Sequence, residues 1–408
     1  MKRLGIYYAT ACYRSPDGKY YTSSGLGRYL AAITANFNVD VALAAPVTLD
    51  ARSHLCFPIS RERVHVYDLP YFERFEEARK VRTDLVPRLR SFLQAHRCDL
   101  LWLRYPAAYG TVVWQEARRS AVPCFIEIVG DPVAVLKRTK RLHPLKKWIA
   151  LGVARWHEYE VERIIETTPA VAVSRFLRER YSTNRNLHNI LTMPCGSLQE
   201  EDFYYRDDTC VTEPYRVLSV ARLDHMKSLH TLIDAVSILQ KKGVPIRLDI
   251  VGSGPERDFL RGRAQQKLLQ GSWCLHGGVD DKTLHETYCS SDVFALPSIH
   301  EGLGRVYYEA MARGLPVVAT WIDGIVDVVL DGVTGILVPP NNPVAVAQAI
   351  EAIVSKPSLR RRLIQNGYRN AERFKASDFV QALLGWACES LGVDTTNAKR
   401  GGVYAQDT

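Results

Sequence analysis

The sequence predicts an α/β protein of two doubly wound, Rossmann-like domains that face each other across a cleft. Three observations predict it. Short apolar runs alternate with helix-patterned stretches from end to end, the order that builds parallel sheets covered by helices. The chain has 408 residues, more than one hydrophobic core usually serves. A polar, acidic interruption, Gln199-Glu200-Glu201-Asp202 and then Asp207-Asp208-Thr209, breaks the rhythm near the middle, just after a turn marked by Pro194 and Gly196.

In the first half the apolar runs 4–9, 39–45, 100–103, 124–129 and 170–173 read as strands. The second half repeats the rhythm at 215–220, 246–251, 272–276, 293–296, 316–319 and 335–338, with helices expected over 227–241, 255–269 and 305–313. The expected division is a first domain over 1–205 and a second over 206–375. A helix over 376–392 is expected to pack back toward the first domain, and 393–408 reads as a loose tail. Ligands of such folds sit at the carboxyl ends of the strands. No internal repeat or low-complexity tract interrupts the pattern.

Composition narrows the function classes. Hydrophobic residues make up 47% of the chain, enough for a core in each domain. No apolar run approaches the ~18 to 20 residues of a membrane span. The opening Met1-Lys2-Arg3-Leu4-Gly5-Ile6-Tyr7-Tyr8-Ala9 is too short for a signal peptide and reads as a buried strand. Nine scattered cysteines with no Cys-x-x-Cys spacing indicate neither a disulfide framework nor a zinc site, so a reducing cytoplasm is expected. Charge is uneven: residues 1–210 hold 31 Lys and Arg against 23 Asp and Glu, nearly all of the net +9.

The densest basic stretch carries Lys137, Arg138, Lys140, Arg141, Lys146 and Lys147, with no acid and with Trp148 beside them. Cations interleaved with an aromatic and apolar neighbours suit an anionic membrane surface, where each nearby cation adds about 1 kcal/mol. A solvated loop face is the plain alternative. Nucleic acid is not expected as a partner, because no recognised fold signature accompanies the charge. The expected localisation is cytoplasmic, peripheral on the inner face of the cell membrane.

The run Pro297-Ser298-Ile299-His300-Glu301-Gly302-Leu303-Gly304-Arg305-Val306-Tyr307-Tyr308-Glu309 brackets a Gly-x-Gly turn between two carboxylates at the start of a helix. Glycines permit close approach, and helix-opening N–H groups with the positive dipole end make an anion site. Continuous helix between Glu301 and Glu309 would separate them by about 12 Å, too far for a glycosidase acid/base pair at about 5 to 9.5 Å. The acids therefore read as clamps at opposite ends of an elongated ligand. A surface turn before an ordinary helix would also fit these residues taken alone.

Four elements in order extend this run: Val220-Ala221-Arg222-Leu223-Asp224-His225-Met226-Lys227-Ser228, Ile250-Val251-Gly252-Ser253-Gly254-Pro255, His276-Gly277-Gly278-Val279, and the stretch from Pro297 through Glu309 and Gly314-Leu315-Pro316-Val317 to Gly332 and Gly335. Together they resemble the retaining, two-domain GT-B glycosyltransferases of family 4. The resemblance implies a nucleotide-sugar donor, a UDP- or GDP-sugar, as co-substrate, with no other cofactor. It places Arg222 and Lys227 on the diphosphate, Glu301 on the donor sugar and Glu309 on the ribose hydroxyls. Gly302, Leu303 and Gly304 would hold phosphate or sugar through main-chain N–H groups, and Gly277 and Val279 would form part of the base pocket. In the first half, Thr22-Ser23-Ser24-Gly25-Leu26-Gly27-Arg28-Tyr29 matches the family's glycine loop, assigning Gly25 and Gly27 to the donor phosphate.

Three positions depart from the family's pattern. Asp131 stands near the usual sugar-contacting histidine and is carried as a donor contact, although an acid before Pro132 also shapes turns. Ser228 replaces a glycine, and Pro194-Cys195-Gly196-Ser197 replaces an Asn-Gly turn. With no Asp-x-Asp in the chain, metal-independent hexosyl transfer with retained configuration is expected, to a glycan or lipid-linked acceptor such as a bacterial surface polysaccharide precursor. Site residues come from both halves, so domain closure is expected to assemble the site. An epimerase or phosphorylase on a similar scaffold, or a silent glycan-binding protein, would carry many of the same features.

Overall fold

The computed structural model describes residues 1–51, 55, 57–72, 77–138 and 143–394. The chain divides into two compact units, one joining Met1–Ser197 with Ala376–Thr408, the other Leu198–Lys375. The division falls before residue 198 rather than after 205. Residues 198–206 hydrogen-bond within the second unit: the Leu198 N–H donates to Phe374 O, the Tyr204 N–H to Ala312 O, and Asp202 pairs with Arg313 at 2.5 Å where both are buried.

The N-terminal unit runs β1 (Arg3–Tyr7), β2 (Cys12–Arg14), β3 (Tyr20–Thr22), α1 (Ser24–Asn36), β4 (Asp40–Thr48), β5 (Phe57–Pro58), β6 (Val64–Leu69), α2 (Arg82–His96), β7 (Leu100–Tyr105), α3 (Gly110–Arg119), β8 (Cys124–Ile128), α4 (Pro132–Arg138), α5 (Pro144–Ile165), β9 (Ala170–Ala172), α6 (Arg175–Tyr181) and β10 (Ile190–Thr192). Its sheet is ordered β10-β9-β8-β7-β1-β4-β2-β3-β5, with β6 also on β4. The β1, β4, β7, β8 and β9 pairings are parallel, as the apolar runs predict for strands buried on both faces, and β10 joins them parallel to β9. Strands β2, β3, β5, β6 and β10 are additions that the sequence pattern does not mark, being short or flanked by polar residues.

The last helix of this unit, Ala376–Leu391, is out of chain order and buries Phe379, Leu383 and Leu384. Phe379 meets Tyr29 of α1 at 5.4 Å between ring centroids, and Trp386 meets Phe125 of β8 at 6.1 Å, extending the aromatic core of Tyr29, Trp102 and Phe125. Aromatic pairs at such distances add about 0.5 to 1.5 kcal/mol beyond their buried area.

The C-terminal unit runs β11 (Tyr215–Val220), α7 (Leu229–Lys241), β12 (Ile246–Val251), α8 (Arg257–Lys267), β13 (Trp273–Gly277), α9 (Asp281–Cys289), β14 (Val293–Leu296), α10 (Arg305–Ala312), β15 (Val317–Thr320), β16 (Gly335–Val338), α11 (Pro343–Ser355) and α12 (Pro357–Ala371). Its six strands are all parallel, in the order β13-β12-β11-β14-β15-β16. Strand order reverses between β11 and β14, so the loops leaving these two strands diverge and open a crevice at their carboxyl ends. Arg222, Lys227 and Glu301 all lie on those two loops.

Two glycines set how closely the chain can turn there. Gly252 has φ 138°, and a Cβ on it would stand 1.9 Å from Ala221 O; Gly254 has φ 156°, and its Cβ would stand 2.4 Å from Leu223 O. The backbone after β12 is thus pressed against the backbone after β11, which only glycine allows. Gly252→Ala is expected to destabilise the C-terminal unit by about 2 kcal/mol or more, read as a lowered urea midpoint. An unchanged midpoint would show that the backbone has room to move.

Candidate active site

The loop after β11 is built by Asp224. Its Oδ1 accepts the Met226 N–H at 2.9 Å and caps a short 3-10 turn over His225–Lys227, while its Oδ2 holds the Arg222 guanidinium at 2.6 Å. One carboxylate therefore fixes both predicted phosphate cations, Arg222 directly and Lys227 through the turn. Arg222 is 74% exposed, so its charge stays open to a ligand. Asp224 was not singled out from the sequence, although its place two residues after Arg222 at a turn start is an N-cap signature.

Ser228 follows in the left-handed region at φ 46°, which explains why a glycine is usual there. The fully buried hydroxyl lies 2.9 Å from Thr231 Oγ1 and donates to Asn341 Oδ1 at 3.4 Å, offsetting part of the conformational cost.

The loop after β14 comes to meet this turn. The Ile299 N–H donates to Met226 O at 2.8 Å, and Lys227 Nζ donates to Glu301 Oε1 at 2.5 Å with both side chains mostly shielded. Ser298 Oγ also donates to Glu301 Oε1 at 3.2 Å, and the Thr320 hydroxyl at the end of β15 donates to Ser298 O. Glu301 is thus held from two sides by a cation and a buried hydroxyl.

Gly304, at φ 79°, is the N-cap of α10 and brings no side chain to occupy the first N–H groups of the helix. A Cβ there would stand 2.5 Å from the Tyr307 ring. Leu303 is buried as the apolar floor of the turn, and Gly302 is half-buried beside it. The helix begins at Arg305, so the continuous-helix spacing expected for Glu301 and Glu309 does not apply. Only the four steps from Arg305 to Glu309 rise helically, about 6 Å.

Glu309 is half-buried one turn into α10, and its Oε2 accepts the Tyr288 hydroxyl at 3.4 Å. Burial, and then the Glu309 charge, push the Tyr288 hydroxyl well above its usual pKa, so it remains a donor that orients the carboxylate. Gly277 lies at the carboxyl end of β13 with φ 81°, where its carbonyl accepts the Gly252 N–H at 2.7 Å; Val279 is half-buried in the loop that follows.

The N-terminal residues fall in different settings. Gly25 and Gly27 lie in the first turn of α1, directly after β3. A Cβ on Gly27 would stand 2.1 Å from the Phe57 ring, so tight packing against β5 requires this glycine. Asp131 is buried: Oδ1 accepts the Ala134 N–H at 2.8 Å at the start of α4, and Oδ2 takes Arg180 at 3.2 Å. Both oxygens thus carry structural partners, the turn-shaping role that an acid before Pro132 suggests. In the basic stretch, Lys137, Lys146 and Trp148 are exposed and Lys147 is half-buried. The side chain of Arg138, and Lys140 and Arg141, lie outside the described residues.

Among the described residues Asp249, Cys274 and His276 bring potential ligand atoms within 4.8 Å of one another. The carboxylate is already spent. Asp249 accepts Arg216 at 3.2 Å and Arg247 at 3.3 Å on Oδ2, and Oδ1 lies 2.8 Å from His276 Nε2. Burial would raise its pKa, but the His276 contact and the two guanidiniums outweigh that and hold it below the usual value. Two fixed cations on the only acid disfavour a metal ion there.

Residues 205–370 match the family described as glycosyl transferases group 1. LpsE of Rhizobium meliloti, a lipopolysaccharide core biosynthesis glycosyltransferase, is 37% identical over 152 residues, 37% of this chain and 43% of its own. The putative colanic acid biosynthesis glycosyltransferase WcaL of Salmonella typhimurium is 33% identical over 196 residues, 46% of this chain and 47% of its own. The chain spans about half the length of the curated relatives it matches. Among solved structures, a sucrose-phosphate synthase from Thermosynechococcus elongatus superposes with TM-score 0.74 at 20% identity, over 96% of this chain and 99% of that one. Anabaena HepE superposes with TM-score 0.68 at 17% identity, over 96% and 100%. The fold is GT-B.

The double use of Asp224 is separable by substitution. Asp224→Ala is expected to cost about 1 kcal/mol of stability through the lost cap, whereas Asp224→Asn, which can still accept the Met226 N–H, should cost much less. Equal losses in urea denaturation would overturn the capping account.

Proposed function

We propose, from the premise that residues 205–370 belong to the group 1 glycosyltransferases and that the fold is GT-B, that this chain transfers a hexosyl group from a UDP- or GDP-sugar to a hydroxyl of a glycan or lipid-linked acceptor. Its setting is the synthesis of bacterial surface polysaccharide or glycolipid, the role that the names of LpsE and WcaL give to those relatives. The observation that supports the reading is the joining of the two strand-end loops by Lys227 and Glu301, beside the glycine-capped N-terminus of α10. A cation, a carboxylate and a helix dipole then meet the charge and the hydroxyls of a sugar diphosphate.

The division of labour follows from chemistry. Cleavage of the sugar–phosphate bond leaves a nucleoside diphosphate with growing negative charge, which Arg222, Lys227 and the α10 dipole stabilise. Glu301 accepts hydrogen bonds from donor-sugar hydroxyls, and Glu309 accepts those of the ribose. The acceptor hydroxyl attacks from the side of the departing phosphate, which takes the proton, and the anomeric configuration is retained. The side-chain cations supply the charge that a metal clamp supplies elsewhere, so transfer proceeds without added metal. The enzyme works from the cytoplasmic face of the membrane as a peripheral protein.

The test is a panel of UDP-, GDP- and ADP-sugars, UDP-sugars first because Anabaena HepE was crystallised with UDP-glucose. Thermal shift and slow release of nucleoside diphosphate are measured in EDTA. One donor is expected both to stabilise and to hydrolyse, and a strict requirement for divalent metal would overturn the metal-free mechanism. Lys227→Ala should lower kcat by about 100-fold or more, with a smaller change in donor KM. Glu309→Ala should raise donor KM by about 10- to 100-fold, with kcat nearly kept. Unchanged kinetics in either variant would remove that residue from its role.

A further inference from the structure

The outward face of α5 is apolar where a solvated helix would be polar. Leu145, Trp148, Ile149, Trp156 and Tyr159 are each between 50% and 73% exposed. Their spacing of three, four and seven residues puts them on one side of the helix. Gly152, exposed between them with nothing within 4 Å of its Cβ position, leaves the stripe unbroken by any polar side chain. From Leu145 to Tyr159 the stripe is about 21 Å long. The opposite side of the same helix, Ala154, Val161, Ile164 and Ile165, is buried in the N-terminal unit. An α-helix apolar on both sides has a second, unfilled packing requirement.

The flanking charges identify what fills it. Lys146 and Arg155 are exposed beside the stripe, and no acid occurs in α5 before Glu158. Glu158 is buried and paired with Arg180, and Glu160 and Glu162 are half-buried. Tryptophans and a tyrosine, whose rings are apolar with one polar edge, flanked by unopposed Lys and Arg, match the boundary between anionic headgroups and acyl chains. No helix among the described residues is long and apolar enough to cross a membrane, which leaves lying in the interface.

We infer that α5 docks the protein on an anionic lipid bilayer, lying parallel to the surface with Leu145, Trp148, Ile149 and Trp156 sunk below the headgroups and Lys146 and Arg155 on the phosphates. The inference deepens the proposal of a peripheral enzyme by naming its membrane face. That face is longer than the basic stretch seen in the sequence, reaching Trp156 and Tyr159.

The full chain is sedimented with vesicles of equal parts phosphatidylcholine and phosphatidylglycerol, and with phosphatidylcholine alone. Binding to the anionic vesicles, weakened by high salt, is expected for the parent protein. Trp148→Ser with Trp156→Ser should lower vesicle affinity at least about 10-fold, and Lys146→Gln with Arg155→Gln should erase the preference for anionic lipid. Both pairs are surface residues, so melting temperatures stay at the parent value, and Trp321→Ser, an exposed tryptophan of the other unit, should bind like the parent. Absence of parent binding, or undiminished binding by the tryptophan pair, overturns the proposal. A parent dimer in light scattering that the same pair dissolves also overturns it, by making a second copy the occupant. Release of nucleoside diphosphate in vesicle-free solution is read separately: its loss in the parent would unseat the transferase reading without altering the vesicle result.

Discussion

The C-terminal unit is organised around the meeting of two loops, fixed by the Ile299 N–H on Met226 O and by Lys227 on Glu301. Parallel strands release their loops at one end, and a strand order that reverses between β11 and β14 sends those two loops apart. Left alone, diverging loops would be mobile. Here a main-chain hydrogen bond and a shielded ion pair join the two loops to each other. Asp224, Ser298 and Thr320 all serve this joint from behind: Asp224 caps the turn that carries Lys227, Ser298 holds the Glu301 carboxylate, and the Thr320 hydroxyl holds the Ser298 carbonyl.

Backbone packing supports the joint from the other side. Because Gly252 and Gly254 let the chain after β12 lie against Ala221 and Leu223, the Arg222 loop is confined between its neighbour strand and the Glu301 loop. A side chain at either glycine would push the Arg222 loop outward and loosen Asp224 with it. The glycines of this unit therefore act through close approach of main chain to main chain, and Gly304 acts through a left-handed φ. At Gly27 in the other unit the same residue type answers to an aromatic ring, Phe57. A glycine in sequence is ambiguous for this reason: it reports that space or conformation is special, and only the neighbours say which.

Much of the fold was legible because buried parallel strands write themselves as continuous apolar runs. The runs at 215–220, 246–251, 293–296 and 335–338 coincide with strands to the residue. Strands β2, β3, β5 and β10 were not legible, since each is three residues or fewer, too short for an apolar run or an alternation to show. Of the candidate site residues, Lys227 and Glu301 stand out in the sequence by residue type and motif, and the structure brings them into contact, whereas Asp224 has a place that depends on its partners and shows only once its two oxygens lie on Met226 and Arg222. The helix expected over 305–313 does begin at Arg305. The apolar stripe of α5 was hidden by the buried face on the same helix: with apolar residues on both sides, periodicity cannot tell inside from outside.

The Lys227–Glu301 pair also offsets a cost within the C-terminal unit. A lysine ammonium and a carboxylate would each be costly to hold shielded and unpaired. Paired with one another they neutralise that cost, and the Ser298 hydroxyl keeps the carboxylate oriented. Under the proposed function, a diphosphate arriving at the N-terminus of α10 competes for Lys227 Nζ and offers it more charge than a single carboxylate does. As the ammonium turns to the phosphate, Glu301 loses a partner at the moment the sugar hydroxyls arrive to replace it. A bare diphosphate would free Glu301 with nothing to bind, whereas a sugar diphosphate satisfies both ends of the exchange. The pair therefore favours the intact donor over the product that leaves, a selectivity that comes from the swap of partners and needs no additional contact.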